Sequence, residues 1–404
     1  DKKGNIWLGT KGNGLYKAEP VNEESSQYRL TQFKTDKKDP NSIGSNAIYS
    51  VLEDQNARIW IGTYGGGLNL LKEENGKISF IKNFKNYPIT ESSRVRFLIK
   101  GYKGEIWAAT TNGLITFSPR NYNPATIKFS RHVKISGDKS SLASNDVIHL
   151  YKDSQGKIWV SSAGGGLNRA FEKYNRLAFQ NFSKQDGLPS DFILSMAEDN
   201  DKNLWLATEN GISKFNLTNH TFRNYDSYDG LLKTGFSESS SLQLPNGNLI
   251  FGCRNGYLDF NPKKIENQKI TAQLVFTSFE INNKSSNVKS EEYPLKADIN
   301  YNKEIELDYQ HNTVSIYYTV LDYRSNNKQL YAYRLKGLDD TWHEVKNQKK
   351  ATFTNLPPGD YEFEVKSLNP ELYSSVPHKS LKFTITPPFW KTNWAFLLYF
   401  IICA

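Results

Sequence analysis

Cysteine is almost missing from this chain: two among 404 residues, Cys253 and Cys403. They supply neither a disulfide framework nor the spacing of a metal site, and they leave the redox compartment undecided. The six histidines, His132, His149, His220, His311, His343 and His378, form no His-Glu-x-x-His pattern, which removes the zinc-protease arrangement. Gly235-Phe236-Ser237-Glu238-Ser239 lacks the closing glycine of a nucleophile elbow. The triple glycines at 65–67 and 164–166 precede neither Gly-Lys-Ser/Thr nor a helix, so they are not phosphate loops. Asp199-Asn200-Asp201-Lys202-Asn203 begins like a calcium loop, but Leu204 stands where glycine is required and Asn210 where the bidentate glutamate belongs. No catalytic residue, metal or cofactor is expected. Long helical patterns are also scarce, whereas aromatics make up 13%, with 23 Tyr and 23 Phe. That balance favours an all-β protein.

What is present is a repeat. Residues 54–72 contain Ile59-Trp60-Ile61-Gly62-Thr63 and Gly65-Gly66-Gly67-Leu68, and related copies lie around Trp7, Trp107, Trp159 and Trp205. A sixth, degenerate copy at 247–252 has Ile250 in place of tryptophan. Short strands repeated about every 50 residues indicate a β-propeller with one four-stranded blade per repeat. Apolar runs at 46–53, 145–152 and 191–198 read as inner strands buried on both faces. A turn and the Trp strand follow, the glycines reverse the chain into a third strand, and the fourth is the weakest signal, as at 78–84 and 179–182. Tryptophan is expected to fill the wedge between neighbouring blades.

Over residues 1–265 this pattern resembles the two-component regulator propeller repeat of the extracytoplasmic sensor regions of bacterial hybrid histidine kinases. The chain opens at Asp1 inside a repeat, and five blades plus part of one do not close a seven-bladed ring. Further blades are therefore expected upstream, and members of the resembled family often carry two propellers. After Pro262 the period stops. Seven short strand-like runs between 274 and 385, with the turn Pro357-Pro358-Gly359-Asp360, suggest an immunoglobulin- or fibronectin-like sandwich over 266–387. The segment from Tyr331-Ala332-Tyr333-Arg334-Leu335 to Trp342, with Asn355 to Tyr361, resembles the Tyr-rich module that follows these propellers. Tyr331 and Tyr333 fall on one strand face and are expected to pack in the core and at its edge.

Residues 388–404 end in 11 uncharged residues from Trp394, too few for the roughly 20 that span a bilayer. Trp390, Lys391 and Trp394 nevertheless match the interfacial belt before a membrane helix, so this stretch is expected to begin one.

The formal charge is +9, with 16 basic against 16 acidic residues from Glu266 onward and 35 against 26 before it. The excess on the propeller fits either a scattered solvated surface or a face that receives an anion. Nucleic acid is not expected, because no dense basic cluster or reading helix is present. In a propeller, the loop entering each inner strand and the turn between the second and third strands share the face around the channel mouth. Asn46, Tyr64, Arg94, Arg96, Asn145 and Asp191 are placed there as candidate ligand contacts. Arg94 and Arg96 interrupt an otherwise apolar strand and suit a carboxylate or sulfate; inter-blade hydrogen bonds or a solvated channel would use them equally well.

The resemblance implies a non-enzymatic periplasmic sensor region of an inner-membrane histidine kinase. It further implies an oligosaccharide ligand, neutral or anionic, a homodimer, and a relay through the sandwich to the membrane helix and kinase. Two alternatives stand beside it: a propeller lyase or hydrolase acting on polysaccharide, and the sensor part of a one-component DNA-binding regulator.

Overall fold

The computed structural model describes residues 1–22, 27–120, 123–174, 176–231, 234–265, 271–287, 295–302, 304–322, 329–346, 348–368, 375–391, 394–395, 397 and 401–402. The chain divides into two compact units, Asp1–Ile265 and Glu266–Ala404.

Among the described residues the first unit forms six consecutive antiparallel sheets, each a propeller-like blade. Blade 1 has three strands, Ile6–Gly9, Leu15–Pro20 and Tyr28–Phe33. Blades 2 to 5 have four each, paired strictly in chain order. Their first strands are Ile48–Glu53, Val95–Lys100, Val147–Lys152 and Ile193–Glu198, and their Trp strands are Ile59–Thr63, Ile106–Thr110, Ile158–Ser162 and Asn203–Thr208. Blade 6 has three: Phe236–Gln243, Leu249–Cys253 and Gly256–Phe260.

The repeat's turn is built from one carboxylate. Asp54 Oδ1 accepts the N–H groups of Asn56 (2.8 Å) and Arg58 (3.1 Å), while Oδ2 accepts Trp60 Nε1 (3.1 Å). Asp153 and Asp199 repeat this, with Trp159 Nε1 at 2.9 Å and Trp205 Nε1 at 2.7 Å. Burial alone would raise the Asp54 carboxyl, but the bonds from Trp60, Arg58 and Asn56 outweigh it and hold the pKa below its ordinary value. The residues that mimic a calcium loop at 199–203 are one of these turns.

These indoles, and Trp107, whose Nε1 donates to Glu105 Oε2 (3.2 Å), fill the wedge toward the next blade. Trp60 packs with Val95, Leu98, Ile106 and Phe117 of blade 3, Trp107 with Val147 and Leu150 of blade 4, Trp159 with Ile193, Met196 and Phe215 of blade 5, and Trp205 with Leu249 and Phe251 of blade 6. The inner strands are also stitched together: Leu98 N–H donates to Ser50 Oγ (3.0 Å), Met196 N–H to His149 Nδ1 (3.1 Å) and Ser241 Oγ to the Met196 carbonyl (2.6 Å).

The second unit is a two-sheet sandwich. One sheet runs in spatial order Lys284–Ser286, Leu274–Ile281, Val314–Val320, Lys350–Phe353; the other runs Glu304–Leu307, His378–Ile385, Gly359–Ser367, Leu330–Lys336, Asp339–Lys346. Tyr331 is fully buried and its hydroxyl accepts the Val320 N–H (3.2 Å), while Tyr333 packs at the core margin, as its strand face implies. The strands Lys284–Ser286 and Asp339–Lys346 carry little apolar periodicity and were not evident in the sequence. Each stands at the end of its sheet's strand order among the described residues.

Among the described residues no helix is long and apolar enough to cross a membrane. Much of the apolar tail (392–393, 396, 398–400, 403–404) lies outside the described residues.

Candidate functional site

Each four-stranded blade has the same irregularity at its centre. Pairing between first and second strands slips by one residue at 48/50, 95/97, 147/149 and 193/195, leaving Tyr49, Arg96, Ile148 and Leu194 as bulged residues. Such a bulge re-aims a side chain out of the ladder. Beside it, the turn after the Trp strand is tied to the residue preceding the first strand. Tyr64 N–H donates to the Ala47 carbonyl (2.9 Å), Thr111 to Arg94 (3.2 Å), Ala163 to Asp146 (2.8 Å) and Glu209 to Phe192 (3.3 Å). Each of blades 2 to 5 thus brings three positions together, and these are positions where the copies differ.

On blades 1 to 3 these positions form a continuous row. Lys11, the counterpart of Tyr64 in the first copy, has Nζ 5.6 Å from the Tyr49 ring centroid. Tyr49 stacks on Tyr64 at 5.1 Å and 26°, and the exposed Arg94 guanidinium lies 5.2 Å over the Tyr64 ring. Tyr64 and Arg94 are also joined by a β-bridge. Cations at both ends of an aromatic pair are attracted to the ring faces.

Arg96 has a different setting. Its side chain is 13% exposed and lies between Asp146 of blade 4 (Nη2 to Oδ1, 3.1 Å) and Glu238 of blade 6, which contacts Nη1. Burial disfavours the guanidinium charge, but the two carboxylates outweigh it and raise its pKa. Burial likewise pushes the Asp146 carboxyl above its ordinary value, against the pull of Arg96.

Asn46, Asn145 and Asp191 occupy equivalent places one step further from the centre. Their side-chain oxygens accept the backbone N–H of Thr35 (2.8 Å), Lys134 (2.6 Å) and Lys184 (2.8 Å). Their carbonyls accept the N–H of Gly14, Gly113 and Gly166 in the preceding blade. These glycines have φ of 81°, 111° and 62°, and a Cβ on Gly14 or Gly166 would lie 2.1 Å from a backbone oxygen. These three side chains therefore tie down the preceding loops and their backbone carbonyls tie neighbouring blades, whereas Tyr64 packs with Arg94 and Arg96 lies between Asp146 and Glu238. Sequence reasoning missed Lys11, Tyr49, Asp146 and Glu238. Lys11 and Tyr49 could have been found by superposing the copies on Tyr64 and Arg96. Glu238 could not, since 142 residues separate it from Arg96.

Among the described residues no group of three or more His, Cys, Asp or Glu side chains is placed to hold a metal ion.

Comparison with known proteins agrees with this architecture. The two component regulator propeller model matches residues 42–65, 141–164 and 187–210, and the Y_Y_Y domain model matches 322–386. Histidine kinase P4 of Formosa agariphila is 28% identical over 356 residues, 88% of this chain and 25% of that protein. A crystal structure of the extracellular domain of a hybrid two component system from B. thetaiotaomicron aligns with 96% of this chain at 25% identity and a TM-score of 0.60. This chain spans a quarter of the length of the curated relative and 55% of that crystallised domain. It carries two component regulator propeller repeats followed by a Y_Y_Y domain, the make-up of a two-component sensor domain.

Proposed function

We propose that this two-component sensor domain is the periplasmic ligand-sensing region of a hybrid histidine kinase of the inner membrane, and that it binds an oligosaccharide across the mouth of its blades. The observation that carries this reading is the row Lys11, Tyr49, Tyr64 and Arg94. Tyrosines offer apolar ring surface to the C–H faces of a sugar and hydroxyls to its polar edge. Flanking cations supply donors for hydroxyl, carboxylate or sulfate oxygens, and the exposed Arg94 does so bidentately. A few convergent polar groups over an aromatic floor is the usual composition of a small-molecule site.

In this reading the blades at 1–265 belong to a seven-bladed propeller. The sandwich at 266–387 relays a change in the arrangement of two subunits, and residues 388–404 lead into a membrane helix. Such a relay works only if the ligand binds the two arrangements with unequal affinity. This region performs no catalysis; the kinase lies elsewhere in the protein.

Calorimetry against neutral and acidic oligosaccharides is the direct test. Tyr64→Ala and Arg94→Ala, each with an unchanged circular dichroism spectrum, should weaken binding by about tenfold or more, corresponding to about 1.4 kcal/mol. A chain that binds no oligosaccharide in the panel sinks the reading, and unaltered affinity in both variants moves the site elsewhere.

A further inference from the structure

The strand Phe236–Gln243 that opens blade 6 departs from its counterparts. Elsewhere the first strand slips by a single residue, but here pairing jumps from Phe236 to Ser241. Within the loop so formed, Ser239 has φ of 52°, a left-handed conformation that non-glycine residues rarely adopt. The looped residues reach across to other blades. Ser239 Oγ donates to the Ile148 carbonyl of blade 4 (3.0 Å), and the Glu238 carboxylate meets Arg96 of blade 3.

Arg96 is thereby covered. A guanidinium presents five donors in a planar fork suited to a bidentate oxyanion. Here Glu238 and Asp146 approach Nη1 and Nη2 separately, and Arg96 Nε is buried with no hydrogen-bond partner among the described residues. Asp146 Oδ1 is likewise buried without a hydrogen-bond partner, although Nη2 lies 3.1 Å away. The fork is held by charge but incompletely bonded. The exposed Arg94 stands two residues before it, over Tyr64 in the aromatic row.

We propose that Glu238 is an internal counter-ion occupying an anion subsite on Arg96, and that the ligand is an acidic oligosaccharide whose carboxylate or sulfate displaces it. This rests on the oligosaccharide reading above and adds the ligand's charge and a gate. Displacement frees the loop around Ser239 from its anchorage on Ile148, so that binding at the centre loosens the strand that starts the last blade. The state without ligand is then the one with Glu238 seated, and specificity comes from competition between two anions for one guanidinium.

Glu238→Gln keeps the side chain's size and removes its charge. Calorimetry on the full chain would use a galacturonate oligomer, a sulfated galactan oligomer and a neutral galactan oligomer of matched length. The ratio of acidic to neutral affinity should rise about tenfold in the variant, and which acidic oligomer responds distinguishes carboxylate from sulfate. In the unsubstituted chain, adding that oligomer should speed hydrogen exchange across 236–243. Glu238→Asp, which withdraws the charge from Arg96 while keeping it, should shift the ratio in the same direction and stands in if the glutamine variant does not fold. An unchanged or lower ratio, or exchange unaffected by an acidic oligomer that binds, overturns the gate. Binding of the neutral oligomer with no acidic preference in any form overturns the gate and leaves the oligosaccharide reading standing. No binding to any form overturns both.

Discussion

His149 shows how far a single residue in this scaffold is committed to structure. It lies buried in the first strand of blade 4, its Nδ1 accepts the Met196 N–H of blade 5, and its ring meets Phe97 of blade 3 edge-on at 4.5 Å. Burial pulls its pKa down from 6.5 to about 3. The unfolded chain takes up this proton near 6.5 and the native chain does not until about 3. The stability associated with His149 is therefore complete above pH 6.5 and is lost as pH falls toward 3, by up to about 1.4 kcal/mol per pH unit. Denaturant midpoints followed from neutral pH to about pH 5 should fall more steeply for the unsubstituted chain than for His149→Gln, whose amide keeps an acceptor but does not titrate. Equal slopes would mean that the ring is already protonated in the native state. Nothing in the sequence marks His149 for this role, because its isolation from solvent is created by three different blades.

The blade is the level at which sequence and structure agree most closely. An Asp turn, a Trp strand and a glycine reversal are local features within about twenty residues, so the repeat exposes them directly. The wedge contacts of the indoles follow from that order. Trp159→Ala should cost about 3–5 kcal/mol, since it opens a cavity between blades 4 and 5 that the paired backbones cannot close; chemical denaturation measures it. A loss below about 1 kcal/mol would show that Ile193, Met196 and Phe215 collapse into the space. The one-residue bulge in the first strand of blades 2 to 5 was not legible. A slip of register changes which side chain faces the centre without changing hydrophobic composition, so Tyr49 reads simply as a member of a strand, and Arg96 stands out by its charge and not by its bulge. The charged strand Asp339–Lys346 was hidden for a related reason: last in its sheet's order among the described residues and largely exposed, it needs little apolar pattern.

For the whole molecule, the division at Ile265 has a consequence for binding. The proposed site draws only on residues between Lys11 and Glu238. A chain ending at Ile265 should therefore bind the same oligosaccharide with the affinity of the full chain by calorimetry. It should fail to signal when fused to the same output, because the proposed relay lies in the sandwich. Affinity lost on removing the sandwich would place part of the site there.

The sequence by itself determined the scaffold: an all-β chain, the blade order and the Tyr-rich module after it. It could do so because each blade is specified by turns and pairings between near neighbours. Only the tertiary structure decided how the polar side chains around the inner strands are engaged. It engaged the side chains of Asn46, Asn145 and Asp191 with the loops preceding their strands, left Arg94 exposed beside the tyrosines, and enclosed Arg96 between Asp146 and Glu238. The physical reason is that charge pairing depends on distances set by bulges and by the packing of separate blades, and a one-dimensional repeat does not encode those distances.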